Sequence, residues 1–287
     1  MIPAYAQTYT YQILWRSRSL RSGLHRGAQG GLGMEFRGNV PLTDYPDARR
    51  IDLPQTLRDP MDQLHVRVFN QKNPTPVFAV CDLSGSMQFA GRRSKLALAA
   101  EIAASIACSA DQNSDTFGFV GFDDIVREDW LSPPSRRMHE AFELTSRLME
   151  YRPADAGAEG LLDVSRYLGS ARALVFVISD FHMPPERLEE AINTLSRHHV
   201  VPIVLWDSEE YRQLPRLALS AIIDPETGAQ RTLFFRRELR ERFEQAFAAR
   251  RTLLEALFLR YEIPPCFIDD KFKAEALTEY FHQFSAL

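Results

Sequence analysis

The sequence predicts an α/β fold: a doubly wound, mostly parallel central sheet of Rossmann-like type, preceded by an N-terminal extension of loops and strands. Three observations carry this. Val77–Cys81, Ala173–Ser179 and Val200–Trp206 are continuous apolar runs, the mark of strands buried on both faces. From Pro76 onward such runs alternate with helix-length segments, the pattern of a parallel sheet with right-handed helical crossovers. Residues 1–75 differ: they are rich in arginine and poor in long apolar runs. The expected organisation is therefore an extension over 1–75 packed on a core domain over 76–287.

The elements follow in order. Leu64–Phe69 alternates apolar and polar residues and predicts a half-buried strand. The glycine cluster Gly27-Ala28-Gln29-Gly30-Gly31-Leu32-Gly33 lacks the Lys-Ser/Thr ending of a phosphate loop and predicts a loop needing positive φ. Ser94–Ala110 is an alanine-rich helix with Ser94 as N-cap. Thr116–Phe122 and Ile125–Trp130 form a hairpin around Asp123-Asp124. Met138–Tyr151 and Glu159–Leu168 predict helices. Pro184–His198 predicts another, with Pro in its first turn and His198-His199 at the end where positive charge suits the helix dipole. Leu217–Ile223 and Arg231–Phe235 form a second hairpin around Asp224-Pro225-Glu226-Thr227-Gly228. Glu238–Tyr261, Cys266–Ile268 and Lys273–Phe284 close the chain as helix, strand and helix. Phe234, Phe235, Phe243, Phe247 and Phe258 are spaced for burial.

With 287 residues, 45% of them hydrophobic, the chain can bury a sizeable core without a staple. A net charge of −4 gives no sign of nucleic-acid binding. Arg16, Arg18, Arg21 and Arg26 form a basic stretch, read as solvated surface. The odd, scattered cysteines Cys81, Cys108 and Cys266 suit a reducing compartment. With no signal peptide and no membrane-length apolar run, the expectation is a cytoplasmic protein without direct membrane insertion.

The chemistry gathers at Asp82-Leu83-Ser84-Gly85-Ser86-Met87, which follows the buried run Val77–Cys81. One carboxylate and two hydroxyls on a turn offer only hard oxygen ligands. These suit Mg²⁺, with Mn²⁺ or Ca²⁺ as substitutes, better than zinc or copper. Asp82 and Ser84 equally suit Asx- and ST-turns that merely cap the next helix. A second acidic strand end, Ile178-Ser179-Asp180, favours the ligand site, because in doubly wound sheets neighbouring carboxyl ends open onto one crevice. Asp82, Ser84, Ser86 and Asp180 are the candidate metal ligands. His182 is the one spare general base nearby. No Walker A or G-x-S-x-G sequence occurs.

Asp82-Leu83-Ser84-Gly85-Ser86-Met87 resembles the metal-ion-dependent adhesion site (MIDAS) of von Willebrand factor A (VWA) domains, and Ile178–Phe181 resembles their second acidic loop. Upstream, Glu35-Phe36, Tyr45–Asp52, Leu57-Arg58 and Val66–Phe69 resemble the segment before the VWA core in MoxR-associated proteins, the domain of unknown function 58 family. Asp224–Gly228 and the closing helix–strand–helix also fit. The resemblance implies a VWA-like fold and a non-enzymatic, metal-dependent protein-interaction module. Its partners would be a MoxR-type AAA+ ATPase and a client offering an acidic side chain, in chaperone-like assembly or maturation of a complex. Relatives in methanol-oxidation gene clusters imply methanol dehydrogenase as client. This chain departs from the pattern at Leu53, where the family carries Trp, and at the middle-loop threonine ligand, whose position falls at Ala158. Asp155, Glu159 or a water is then the expected substitute, or the site is weak, rebuilt or vestigial. Two other readings stay open: a metal-dependent phosphoester hydrolase and a metal-free scaffold.

Overall fold

The three apolar runs lie side by side in one sheet. In the computed structural model, which describes residues 3–11, 13, 25–31, 35–89, 93–154, 157–207, 219–223, 230–234 and 237–284, the strands in chain order are β1 (His25–Gly31), β2 (Glu35–Pro41), β3 (His65–Asn73), β4 (Pro76–Asp82), β5 (Thr116–Phe122), β6 (Val126–Ser135), β7 (Leu174–Ser179), β8 (His199–Trp206), β9 (Leu219–Ile223), β10 (Gln230–Phe234) and β11 (Cys266–Asp269). The helices are α1 (Leu53–Thr56), α2 (Lys95–Gln112), α3 (Met138–Glu150), α4 (Pro185–Leu195), α5 (Arg237–Arg260) and α6 (Ala274–Phe284). The main sheet has the order β11-β8-β7-β4-β5-β6. Every neighbouring pair is parallel except β5–β6. The chain leaves β4 toward β5 and β6, then crosses back to β7 and β8, so strand order reverses at β4. The predicted doubly wound sheet is therefore present. Cys81 is paired directly with Ile178, which brings the carboxyl ends of β4 and β7 together at the switch point.

Strand alternation divides the core. Phe78 and Val80 join Val175 and Val177 in an apolar cluster with Leu188, Ala191 and Ile192 of α4 and Leu254 and Phe258 of α5. The alternate residues face α2, which packs on β4 and β5. Helix α2 is buried along nearly its whole length, with alanine its commonest buried residue, whose small side chain lets it lie close to the sheet.

Residues 3–11 form an extended strap along α2. Gln7 N donates to Ser105 Oγ at 2.9 Å and Tyr9 N to Ser109 Oγ at 3.0 Å. Both hydroxyls in turn donate to carbonyls one turn back, Glu101 and Ser105. Tyr9 and Tyr11 pack with Phe176 and Phe281, and Gln7 Oε1 accepts from Ala274 N at 3.1 Å.

The chain divides into two compact units: Met1–Gln12 with Pro76–Gln112 and Thr116–Leu287, and Ile13–Thr75 with Asn113–Asp115. In the second, an antiparallel sheet runs β1-β3-β2. Asp52 caps α1 through Gln55 N and accepts from Arg67 Nε at 2.8 Å.

Three expectations need correction. The glycine cluster contributes a strand, β1, whose register slips between Arg26 and Gly30, so its glycines serve an irregular ladder. Glu159–Tyr167 is a 3₁₀ helix, not an α-helix. Gly160 near its start lies against the β5–β6 turn: its N–H donates to Asp123 O at 2.8 Å, and a Cβ there would lie 2.6 Å from the Ile125 carbonyl carbon. The histidines do not end a helix as cations. His198 is buried and accepts from Ala173 N through Nδ1, and His199 opens β8. Burial, with Arg172 nearby, pushes His199 down to about 4. The second hairpin is present as β9–β10. Its turn, and most of the basic stretch, lie outside the described residues.

Candidate functional site

Asp82 ends β4, and Leu83 N donates to Phe122 O at 2.7 Å, extending the sheet one step past the strand. The chain then turns through Ser84 into a short 3₁₀ segment, Gly85–Gln88. Ser84 N closes on Asp82 Oδ1 at 2.9 Å, the expected Asx-type turn. Across the switch point, Ser179 Oγ donates to Asp82 Oδ2 at 2.6 Å and accepts from Phe181 N at 2.9 Å.

The two loops do meet. Ser86 Oγ donates to Asp180 Oδ1 at 3.1 Å, and Ser84 and Ser86 hydroxyls are 3.2 Å apart. Since Ser86 spends its one proton on Asp180, Ser84 donates to Ser86. The other Asp180 oxygen, Oδ2, accepts from Lys95 Nζ at 2.9 Å. Lys95 is the first residue of α2 and only 2% exposed. Its ammonium also lies 5.7 Å from the Phe89 ring centroid. Asp180 is held from behind: Trp206 Nε1 donates to its carbonyl at 3.1 Å. Arg250 of α5 donates to the carbonyls of Phe181 and Met183. Phe181 has φ of +51°, a left-handed conformation that is unfavourable for a bulky residue. Its packing edge-on to Phe258 and the Arg250 bonds hold it there.

The electrostatics separate the two carboxyls. Burial, with Asp180 beside it, pushes Asp82 up to about 7 against the bonds from Ser179 and Ser84. Burial also acts to raise Asp180, but Lys95 and His182 outweigh it and hold that carboxyl below the ordinary range. His182 is partly exposed, with Nε2 3.9 Å from Asp180 Oδ2.

Asp82, Ser84, Ser86 and Asp180 are thus one cluster. Asp155 lies outside the described residues. Ala158 packs against the apolar cluster. Sequence reasoning missed Lys95, Ser179, Trp206 and Arg250. The signal for Lys95 was indirect: a helix apolar on every face buries whatever polar residue it carries.

The cluster does not fit a divalent ion as it stands. Among the described residues, none of the side-chain polar atoms of Asp82, Ser84, Ser86, Lys95 or Asp180 is left buried without a partner. An ammonium already neutralises Asp180, and the four oxygen-bearing residues are at most 7% exposed. Mg²⁺ normally keeps several waters, and this burial leaves little room for them.

Residues 45–253 match the family described as "Protein of unknown function DUF58". The chain belongs to that family. This DUF58 chain is 32% identical over 98 residues to an "Uncharacterized protein in moxR 3'region" of Paracoccus denitrificans, covering 34% of this chain and 93% of that protein. Two solved structures are similar. An aerotolerance-related membrane protein of Bacteroides fragilis has 13% identity and a TM-score of 0.41, over 74% of this chain and 98% of that one. The conserved hypothetical protein BatB of Bacteroides thetaiotaomicron has 13% identity and a TM-score of 0.39, over 74% and 100%. Among the described residues, no helix of the DUF58 chain is long and apolar enough to cross a membrane.

Proposed function

We propose that this DUF58 protein is a non-enzymatic partner of a MoxR-type AAA+ ATPase and serves the assembly or maturation of another protein complex. The observation that carries this is the kinship to the Paracoccus protein, whose name places it in the 3′ region of moxR. The site supports it from the other side. Nucleophile candidates Ser84 and Ser86 spend their hydroxyls inside the cluster, and Asp82 and Asp180 are 1% exposed. A hydrolase would need a base beside an open position for substrate; among the described residues the candidate is His182, partly exposed with Nε2 3.9 Å from Asp180 Oδ2.

The partner docks on the rim at the carboxyl end of the sheet. There Ile125 is 57% exposed between β5 and β6, and Gln88 and His182 reach solvent. The finer reading keeps methanol dehydrogenase as the client.

The test is capture of the MoxR-type ATPase of the same genome by the purified chain, with and without ATP. Ile125→Asp is expected to weaken capture roughly tenfold, about 1.4 kcal/mol, without changing thermal stability. Unimpaired capture by Ile125→Asp would move the docking face elsewhere. Absence of any ATPase binding, together with phosphoester turnover lost in His182→Ala, would sink the reading in favour of the hydrolase.

A further inference from the structure

We propose that the Lys95 ammonium is the resident cation of the strand-end cluster, which makes the cluster a metal-independent lock joining the β4 loop, the β7 loop and the first turn of α2. Two carboxylates enclosed at the switch point of a sheet require positive charge or a proton nearby. A bound ion is one way to supply it. Here the charge comes from the chain itself: Lys95 is 2% exposed and its Nζ lies 2.9 Å from Asp180 Oδ2. The same carboxylate takes Ser86 Oγ on its other oxygen. Asp82 is bonded on both oxygens, by Ser84 N and Ser179 Oγ.

A divalent ion bridging Ser84, Ser86 and Asp180 would stand a few ångströms from this ammonium. It would have to expel the lysine or share the pocket at the cost of strong repulsion. Ala158, where the family resemblance would put a third hydroxyl, packs against the apolar cluster. The lock and the metal are therefore alternatives, and this sequence takes the lock. The inference concerns the cluster alone and stands whether or not the ATPase partnership holds.

The experiment compares the full-length wild type with Lys95→Ala and Lys95→Met. Mn²⁺ binding is read by electron paramagnetic resonance and calorimetry, and thermal unfolding is followed with Mg²⁺, Mn²⁺ or EDTA. Wild type is expected to show no saturable Mn²⁺ binding and the same melting temperature in all three. The Lys95 variants should melt lower in EDTA, bind Mn²⁺ saturably where wild type does not, and recover part of the lost melting temperature when the ion is added. Saturable Mn²⁺ binding by wild type that Asp82→Asn abolishes would overturn the proposal. So would folded Lys95 variants that gain no affinity for the ion. If neither variant folds, amine acetylation of wild type decides. Lys95 labelled more slowly than the other lysines, at a rate unaffected by Mn²⁺, upholds the lock, and labelling accelerated by Mn²⁺ refutes it.

Discussion

Replacing Lys95 by Met keeps most of the side-chain volume and removes the charge. Asp180, 1% exposed, is then a buried carboxylate that keeps Ser86 and loses its counter-ion. Breaking a buried pair by deleting one partner typically costs about 3–5 kcal/mol. At roughly 2–4 °C per kcal/mol for a unit of this size, the melting temperature should fall by about 6–20 °C. The pH dependence identifies the cause. In wild type, Lys95 and His182 hold Asp180 below its unfolded value despite burial. Its stabilising contribution is therefore present above about pH 4 and lost only as pH falls below that. In Lys95→Met, burial acts with far less opposition, so the Asp180 pKa rises above its unfolded value. The variant's deficit should then be largest at neutral pH and shrink as pH falls toward and below about 4, as the carboxyl becomes protonated in both states. Lys95→Met/Asp180→Leu should recover much of the loss, since removing both partners leaves no orphan charge. Urea unfolding at several pH values measures all of this. A Lys95→Met penalty under about 1 kcal/mol, or one equal at pH 5 and pH 8, would refute the pairing.

Three further outcomes follow from the same geometry. Burial, with Asp180 beside it, raises Asp82 to about 7, so ionising it favours unfolding, and stability should decline as pH rises from about 4 to about 7. Asp82→Asn, titrated by chemical denaturation, should flatten that decline. Gly160→Ala would set a methyl 2.6 Å from the Ile125 carbonyl carbon; with backbone on the other side, differential scanning calorimetry should show a loss of about 1–3 kcal/mol. Ser109→Ala removes the acceptor for Tyr9 N and should cost about 1–3 kcal/mol, with faster amide exchange at Tyr9 than at Val80.

Much of the fold was legible because burial on both faces leaves its mark in composition. Val77–Cys81, Ala173–Ser179 and Val200–Trp206 read as strands because nothing polar interrupts them, and their flanking helices fixed the parallel class. Asp82 and Asp180 were legible as partners because each follows such a strand. What failed depended on contacts distant in sequence. Glu159–Tyr167 is a 3₁₀ helix lying against the Ile125 backbone at Gly160, while its local pattern is that of an ordinary helix. The neutral, buried state of His198 depends on the Ala173 amide it meets just before the starts of β7 and β8. Lys95 opens a helix after a good cap, where a lysine normally faces water. Only the depth to which α2 sinks turns it toward Asp180.

The strap over α2 bears on how the protein is made. Gln7 meets Ala274 across 267 positions, so during synthesis the strap waits for the partner that follows it. At bacterial or eukaryotic elongation speeds that interval is roughly 10–50 s. Throughout it, Tyr9 and Tyr11 have no Phe281 to stack on, because that ring has not been translated. Until then the strap can lie against α2 and Phe176 but lacks the ring that completes its aromatic stack.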